Sequence, residues 1–179
     1  MKVSREQVAE NREAILKAAG QLFREKGFDT VSVAEVMNAA GLTHGGFYGH
    51  FSSKDDLIAQ TLAHLLERAS RDFDLKPFVA RYLSAEHRDN AATGCPTAAL
   101  AADTRQQSAA AREAMASAQR GHIDRLSGKM EGKRAAARRR AAIGSWSAMV
   151  GAVILARSVD DPEFADEILK ETGAWIAAR

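Results

Sequence analysis

The stretch from Thr43 to Lys54, THGGFYGHFSSK, gathers hydroxyls, imidazoles and an ammonium around a glycine-rich turn. Side chains of these kinds donate hydrogen bonds to phosphate oxygens and base edges. Bond-making chemistry has no comparable signal. There is no H-E-x-x-H, no phosphate loop and no catalytic-cysteine motif, and the five histidines are scattered along the chain. No catalytic residue, metal site or cofactor is therefore expected. One further group has reactive potential. Cys95 directly precedes Pro96, a residue type favoured at the first helical position, so its thiol should sit at a helix N-terminus, where the thiolate is favoured. The competing role is a small buried cysteine filling a gap in the core.

These groups need positioning elements. Ser32 and Glu35 have the S-x-x-E spacing of a capping box, which starts a helix at Val33, with Val31 and Val36 as its hydrophobic staple. Gly41 suits the position just past that helix's end. Thr43 is placed to cap the next helix, with Leu42 and Phe47 at the spacing of a second staple. Two short helices joined by a glycine-containing turn make a helix-turn-helix. A longer helix from Glu6 to Lys26, stopped by Gly27, should brace them through Ile15, Ala18, Ala19, Leu22 and Phe23. Phe47 and Phe51 form an i, i+4 pair facing this scaffold, which leaves Gly45 and Gly49 on the opposite side and Gly46 and Tyr48 on the flanks. The outward face is almost bare, so the backbone itself should approach DNA closely. Thr43, His44 and, from the start of the preceding helix, Ser32, Val33 and Ala34 remain near the bases; Tyr48, His50 and Lys54 would hold phosphates. Lys54 opens the next helix after Ser52 or Ser53, where the helix dipole disfavours a cation and a phosphate would offset the misfit.

The run AGLTHGGFYGHFSSKDDL resembles the signature of the TetR family of bacterial transcription regulators, over a match from Ile15 to Leu57. The resemblance implies an all-α chain: a three-helix DNA-binding head over residues 1–53, then a larger helical domain over 54–179 that dimerises and binds a small effector. It implies a homodimer on double-stranded operator DNA, paired through its last two helices, and a repressor released by effector binding. The glycines at 46 and 49 depart from the family's pattern, which often has bulkier side chains there. The GC-x-x-x-x-LAA pattern beginning at Gly94, and VDDPEFADEIL further on, resemble a branch that includes thiol-based electrophile sensors.

The rest of the chain supports a helical body. Leu57, Ile58, Thr61, Leu62, Leu65, Leu66, Ala69 and Phe73 form an apolar stripe on a helix from Lys54 to Phe73, with His64 as a packed or boundary residue. A short helix should follow Pro77, and SAEHRDN should be a loop. An alanine-rich helix spans Ser108 to Met130 and ends near Gly132. The basic run from Lys133 to Arg140 is either a second nucleic-acid patch or, the favoured reading, a solvated helix face. Past it the helix turns apolar to Ala156, with Gly144, Ser147, Ala148, Gly151 and Ala152 small enough for close helix approach. Asp161 and Pro162 open the last helix. An effector pocket is expected among these helices, with Leu66, Phe73, Phe78, Tyr82, Cys95, Trp146 and Met149 as candidate lining.

Bulk properties bound these readings. With 179 residues, 46% hydrophobic and 27% charged, the chain can bury helical cores. A formal charge of +2 does not argue for nucleic acid by itself. One cysteine fits a reducing compartment, and no apolar run reaches the ~18 residues of a membrane span, so a cytoplasmic location is expected. The rival class is a helical ligand-binding or protein-interaction module without specific DNA binding.

Overall fold

The computed structural model describes residues 4–68 and 73–178, and every regular element among them is helical. Helix α1 (Arg5–Lys26) opens on Ser4, whose Oγ accepts from the Gln7 N–H at 3.1 Å. It stops at Gly27, where φ is +81°, a conformation that an L side chain would strain. Helix α2 (Val33–Ala39) opens on Ser32, whose Oγ accepts from the Glu35 N–H at 3.1 Å. The expected box is only half closed, because the Glu35 carboxylate pairs with Lys26 Nζ at 2.7 Å. Val31 and Val36 are both fully buried, as a staple requires. Past α2, Gly41 N–H returns to Asn38 O at 3.0 Å and Leu42 N–H to Met37 O at 2.9 Å, the two bonds of a Schellman motif.

The next segment departs from expectation. His44–Gly49 is a 3-10 helix, not an α-helix, and the Thr43 hydroxyl makes no capping hydrogen bond. The reason lies in the tighter winding: the Gly46 N–H is taken by the Thr43 carbonyl at 3.0 Å, so it is not available to the side chain. Helix α3 (Lys54–Arg68) has a reciprocal start, with Ser53 Oγ accepting from the Asp56 N–H at 3.1 Å and Asp56 Oδ2 accepting from the Ser52 N–H at 2.9 Å. Residues 69–72, including Ala69 of the expected stripe, lie outside the described residues. Phe73, expected to end this helix, lies in irregular backbone.

Two further expectations are corrected. Helix α4 (Leu75–Tyr82) begins before Pro77, which occupies its first turn, where the missing N–H has no intrahelical acceptor to lose. The polar run taken as a loop contains helix α5 (Ala85–Asp89), because Ser84 Oγ accepts from the His87 N–H at 3.2 Å and caps it. A single 3-10 turn, Ala91–Thr93, leads into α6 (Pro96–Thr104). Helix α7 (Ala109–Lys129) is capped by Ser108, α8 spans Ala135–Arg157, and α9 (Pro162–Ala177) is capped by Asp161 Oδ1, which accepts from the Glu163 and Phe164 N–H groups at 3.1 Å each. The basic run at the start of α8 is largely exposed, with Arg139 paired to Asp124 and Arg138 donating to Gly132 O at 2.8 Å. That is a solvated face.

Two apolar clusters hold these helices. The first joins Ile15, Phe23 and Met37 of the head to Leu57 and Leu62 of α3 and onward to Leu100 and Met115. Head and body thus share buried surface, with α3 packed between α1 and α7. The second is built on Trp146, Met149 and Val153 of α8 against Tyr82 of α4 and Leu169 and Ile176 of α9. Each fully buried side chain of this size contributes about 1.5–3 kcal/mol of transfer free energy. No described helix is long and apolar enough to cross a membrane.

Candidate DNA-contacting surface and ligand cavity

At the head, Phe47 and Phe51 are 1% and 2% exposed and their rings stack at 5.8 Å. Arg12 of α1 lies 5.1 Å over the Phe51 ring, a cation–π contact that ties the segment just past the 3-10 helix to its brace. Phe47, one of the residues assigned to the contact surface, is therefore an anchor with no side chain to offer a ligand. Tyr48 is 73% exposed. Thr43, His44, Gly45, Gly46 and Gly49 are exposed too, as are Ser32 and Ala34, while Val33 and His50 are half-buried. A Cβ at Gly45 or Gly49 would meet no atom within 4 Å, so this side of the 3-10 helix is open backbone. Lys54 Nζ lies 3.4 Å from Asp29 O, a long contact that leaves the ammonium able to take a stronger acceptor. His50 Nδ1 is buried without a partner. The surface brings together hydroxyl, imidazole, ammonium and bare backbone, which suits contact with a polyanion.

In the body, a cavity of about 600 Å³ opens between α3, α4, α5, α6, α7 and α8. Of the candidate lining residues, Leu66, Phe73, Phe78, Tyr82, Cys95 and Trp146 border it. Met149 does not: it is fully buried in the second core, one helical turn from Trp146 on the side that packs inward.

Cys95 is half-buried at the N-cap position of α6, ahead of Pro96. Its N–H donates to His87 Nε2 at 2.9 Å, and His87 Nδ1 lies 2.6 Å from Tyr82 O. Those two bonds fix the tautomer, since Nδ1 must donate to the carbonyl and Nε2 must accept. Burial, and then the Arg157 and Arg81 charges, push the His87 imidazole below its ordinary pKa. Arg157 donates to the carbonyls of Arg88 at 2.8 Å and His87 at 2.7 Å, which fastens α5 to α8. Arg157 and Arg24 are both near enough to Cys95 to interact with it electrostatically. Arg24, from the head, donates to Ala92 O at 2.7 Å beside the cavity wall.

Sequence reasoning did not find His87, His122, Arg125 or Arg157. For the α7 pair a signal existed, because Gln119, His122 and Arg125 recur every three residues on one face of an otherwise small-residue helix and all border the cavity. For His87 and Arg157 none did. His122 is packed 3.9 Å from the Trp146 ring centroid and 5.7 Å from that of Phe78, and burial, then Arg125, push its pKa down to about 4. It is a neutral imidazole near neutral pH.

Residues 15–61 match the family model described as bacterial regulatory proteins, tetR family. Among curated proteins, the HTH-type transcriptional repressor BepR of Brucella suis is 42% identical over 58 residues, which is 32% of this chain and 28% of BepR. The HTH-type transcriptional regulator AcrR of Shigella flexneri is 37% identical over 57 residues, 32% of this chain and 26% of AcrR. The match thus spans about a quarter of those relatives' length. A TetR-family transcriptional regulator from Agrobacterium tumefaciens superposes with a TM-score of 0.76 at 18% identity, covering 94% of this chain and 98% of its own. Sequence likeness and fold likeness agree: residues 15–61 resemble the tetR family of bacterial regulatory proteins, and the chain as a whole has a helical fold similar to that of a solved TetR-family regulator.

Proposed function

We propose that the protein is a cytoplasmic transcription regulator that binds operator DNA as a homodimer and releases it when the body cavity is occupied. The observation that carries this reading is the exposed 3-10 helix, bare at Gly45 and Gly49, flanked by Tyr48 and pinned from behind by Phe47 and Phe51. On this reading residues 1–53 are the head and 54–179 the effector and dimer unit. Thr43 and His44 stand nearest the bases with Ser32, Val33 and Ala34 behind them; Tyr48, His50 and Lys54 hold phosphates. Two heads on one dimer read half-sites about one helical turn apart or slightly more. Repression is favoured over activation by the simplest coupling, in which an occupant that prefers the unbound head spacing lowers DNA affinity.

The test is fluorescence anisotropy of the purified protein on DNA from upstream of its own gene, at two salt concentrations, with random duplex as competitor. Binding that survives competitor and weakens as salt rises is expected. Weak, sequence-blind binding would favour a helical ligand-binding module instead.

A second trigger, thiol modification, is favoured by one specific arrangement: Cys95 lines the cavity at a helix N-terminus with Arg24 and Arg157 near it. Cys95→Ser separates the triggers, because release of DNA by oxidant or electrophile that persists in this variant excludes the thiol.

A further inference from the structure

We infer that the cavity takes a planar aromatic anion, such as an aromatic carboxylate, with its ring against His122, Trp146 and Phe78 and its charge on Arg125 and the Tyr82 hydroxyl. The inference rests on the proposed role of this cavity as the effector site.

The polar groups around the cavity divide into two sets. His87 has both ring nitrogens engaged, Ser84 Oγ donates to Arg81 O at 2.8 Å, and Asn90 donates to Glu86 O at 2.9 Å. These maintain the wall. Two others, His122 Nε2 and Arg125 Nε, have no partner although their atoms are buried, and Tyr82 Oη makes no hydrogen bond of ordinary geometry and has only the weakly accepting Cys95 thiol beside it. Tyr82 is only 7% exposed, so its hydroxyl is largely withheld from bulk water. Native structures rarely leave such groups unsatisfied, and a cluster of them around one cavity marks where a ligand's polar end belongs.

Charge selects the sign. Arg81 and Arg125 border the cavity, and Arg157 reaches within 3.0 Å of where a Cβ on Gly94 would stand. Among the described lining residues the only carboxylate is Glu86, which is exposed, as is Arg81. Burial and Arg125 hold His122 neutral, so it adds no positive charge that an incoming group would have to share. The aromatic wall would otherwise suit a cation, but the arginines oppose one. Hydrogen bonds from a guanidinium to a carboxylate are among the stronger non-covalent contacts, and Arg125, which borders the cavity, has its Nε buried without a hydrogen-bond partner.

The wall selects shape. Phe73 and Phe78 stack with centroids 4.3 Å apart, His122 and Trp146 lie 3.9 Å apart, and Tyr82 meets Trp146 edge-on at 5.4 Å. Ring faces and edges of this kind favour another ring in offset or edge-to-face contact over a flexible chain.

Calorimetric titration of the full chain, without DNA, tests this with 1-naphthoate, 1-naphthalenemethanol, 1-naphthylmethylammonium and octanoate. Naphthoate should bind at least about tenfold tighter than the neutral alcohol, as a charge-assisted hydrogen bond implies. The ammonium should bind weakest and octanoate below naphthoate. Arg125→Gln should bring naphthoate down to the level of the alcohol while the alcohol's own affinity stays unchanged, which shows the cavity intact; Arg125→Lys should keep part of the preference. Equal affinity for acid and alcohol, octanoate matching naphthoate, a preference that survives Arg125→Gln, or no binding by any probe would each overturn the inference. Operator binding is measured separately by anisotropy. DNA binding without preference for the acid removes the ligand class and leaves the regulator; preference for the acid without DNA binding supports the ligand class and removes the regulator.

Discussion

Gly49 has neither a positive φ nor any atom within 4 Å of the place a Cβ would occupy, so alanine fits there without displacing protein. Gly49→Ala should raise the stability of the free protein by up to about 1 kcal/mol through backbone propensity, measured by thermal melting. The same methyl would stand between backbone and DNA, so operator affinity should fall; an anisotropy titration showing unchanged affinity would exclude close backbone approach. His122 gives a second prediction at this scale. Its folded-state pKa lies near 4, below the ordinary histidine value of 6.5. Between those values the unfolded chain binds the proton and the folded chain does not, so stability is full above the unfolded pKa and is lost as pH falls. From pH 7.5 to 5 this amounts to about 2 kcal/mol. His87, also lowered, adds in the same direction. His122→Gln should therefore flatten the acid side of the urea-unfolding profile without abolishing it; an identical slope would mean His122 titrates normally.

Two elements connect cavity and head. One is α3, which carries Lys54 at its first turn and Leu66 on the cavity wall, about 18 Å away at 1.5 Å per residue. The other is the Arg24 bond from α1 to Ala92, next to the lining residues Thr93 and Gly94. Arg24→Met keeps most of the apolar stem and deletes that bond. It should leave operator affinity of the free protein little changed while reducing ligand-induced release by about 1 kcal/mol of coupling, read as a smaller shift in Kd between free and ligand-saturated protein. An undiminished shift would assign the coupling to α3. The same contrast explains what was legible in the sequence. Ser32, Asp161, Gly27 and Gly41 were readable because a cap is a local contract between residues a few positions apart. Ser84 obeys the same rule but was hidden in a polar run with no apolar periodicity after it. The 3-10 winding of His44–Gly49 was not readable, since three glycines in a short segment weaken every local preference and packing of Phe47 decides. Cys95 was correctly placed at a helix start, yet its setting was invisible: the Arg24 and Arg157 bonds beside it join residues 68 to 70 apart in the chain.

At the scale of the whole molecule, the apolar surface left outside is concentrated on the last two helices. Trp146, Met149 and Val153 of α8 turn inward, whereas Ile143, Ile154 and Leu155 of the same helix and Phe164 of α9 are 43–57% exposed. Ile143 and Ile154 lie three helical turns apart on one face, and nothing stands within 4 Å of a Cβ at Gly144 or Gly151, so a second helix can approach this face closely. Contiguous exposed apolar surface of this kind marks an interface, and under two-fold symmetry each such residue contributes twice. On the proposed function, a dimer would also let a small head bind DNA tightly, since the second half-site would be engaged at high effective concentration. Ile154→Glu combined with Leu155→Glu places four carboxylates into that surface per dimer without touching the buried side of α8. Sedimentation should then show a monomer where the parent chain sediments as a dimer, and operator affinity should drop by roughly 100-fold or more as bivalency is lost. If the variant remains dimeric and binds DNA as before, subunits pair through another face, and the exposed side of α8 and α9 must be assigned to something other than self-association.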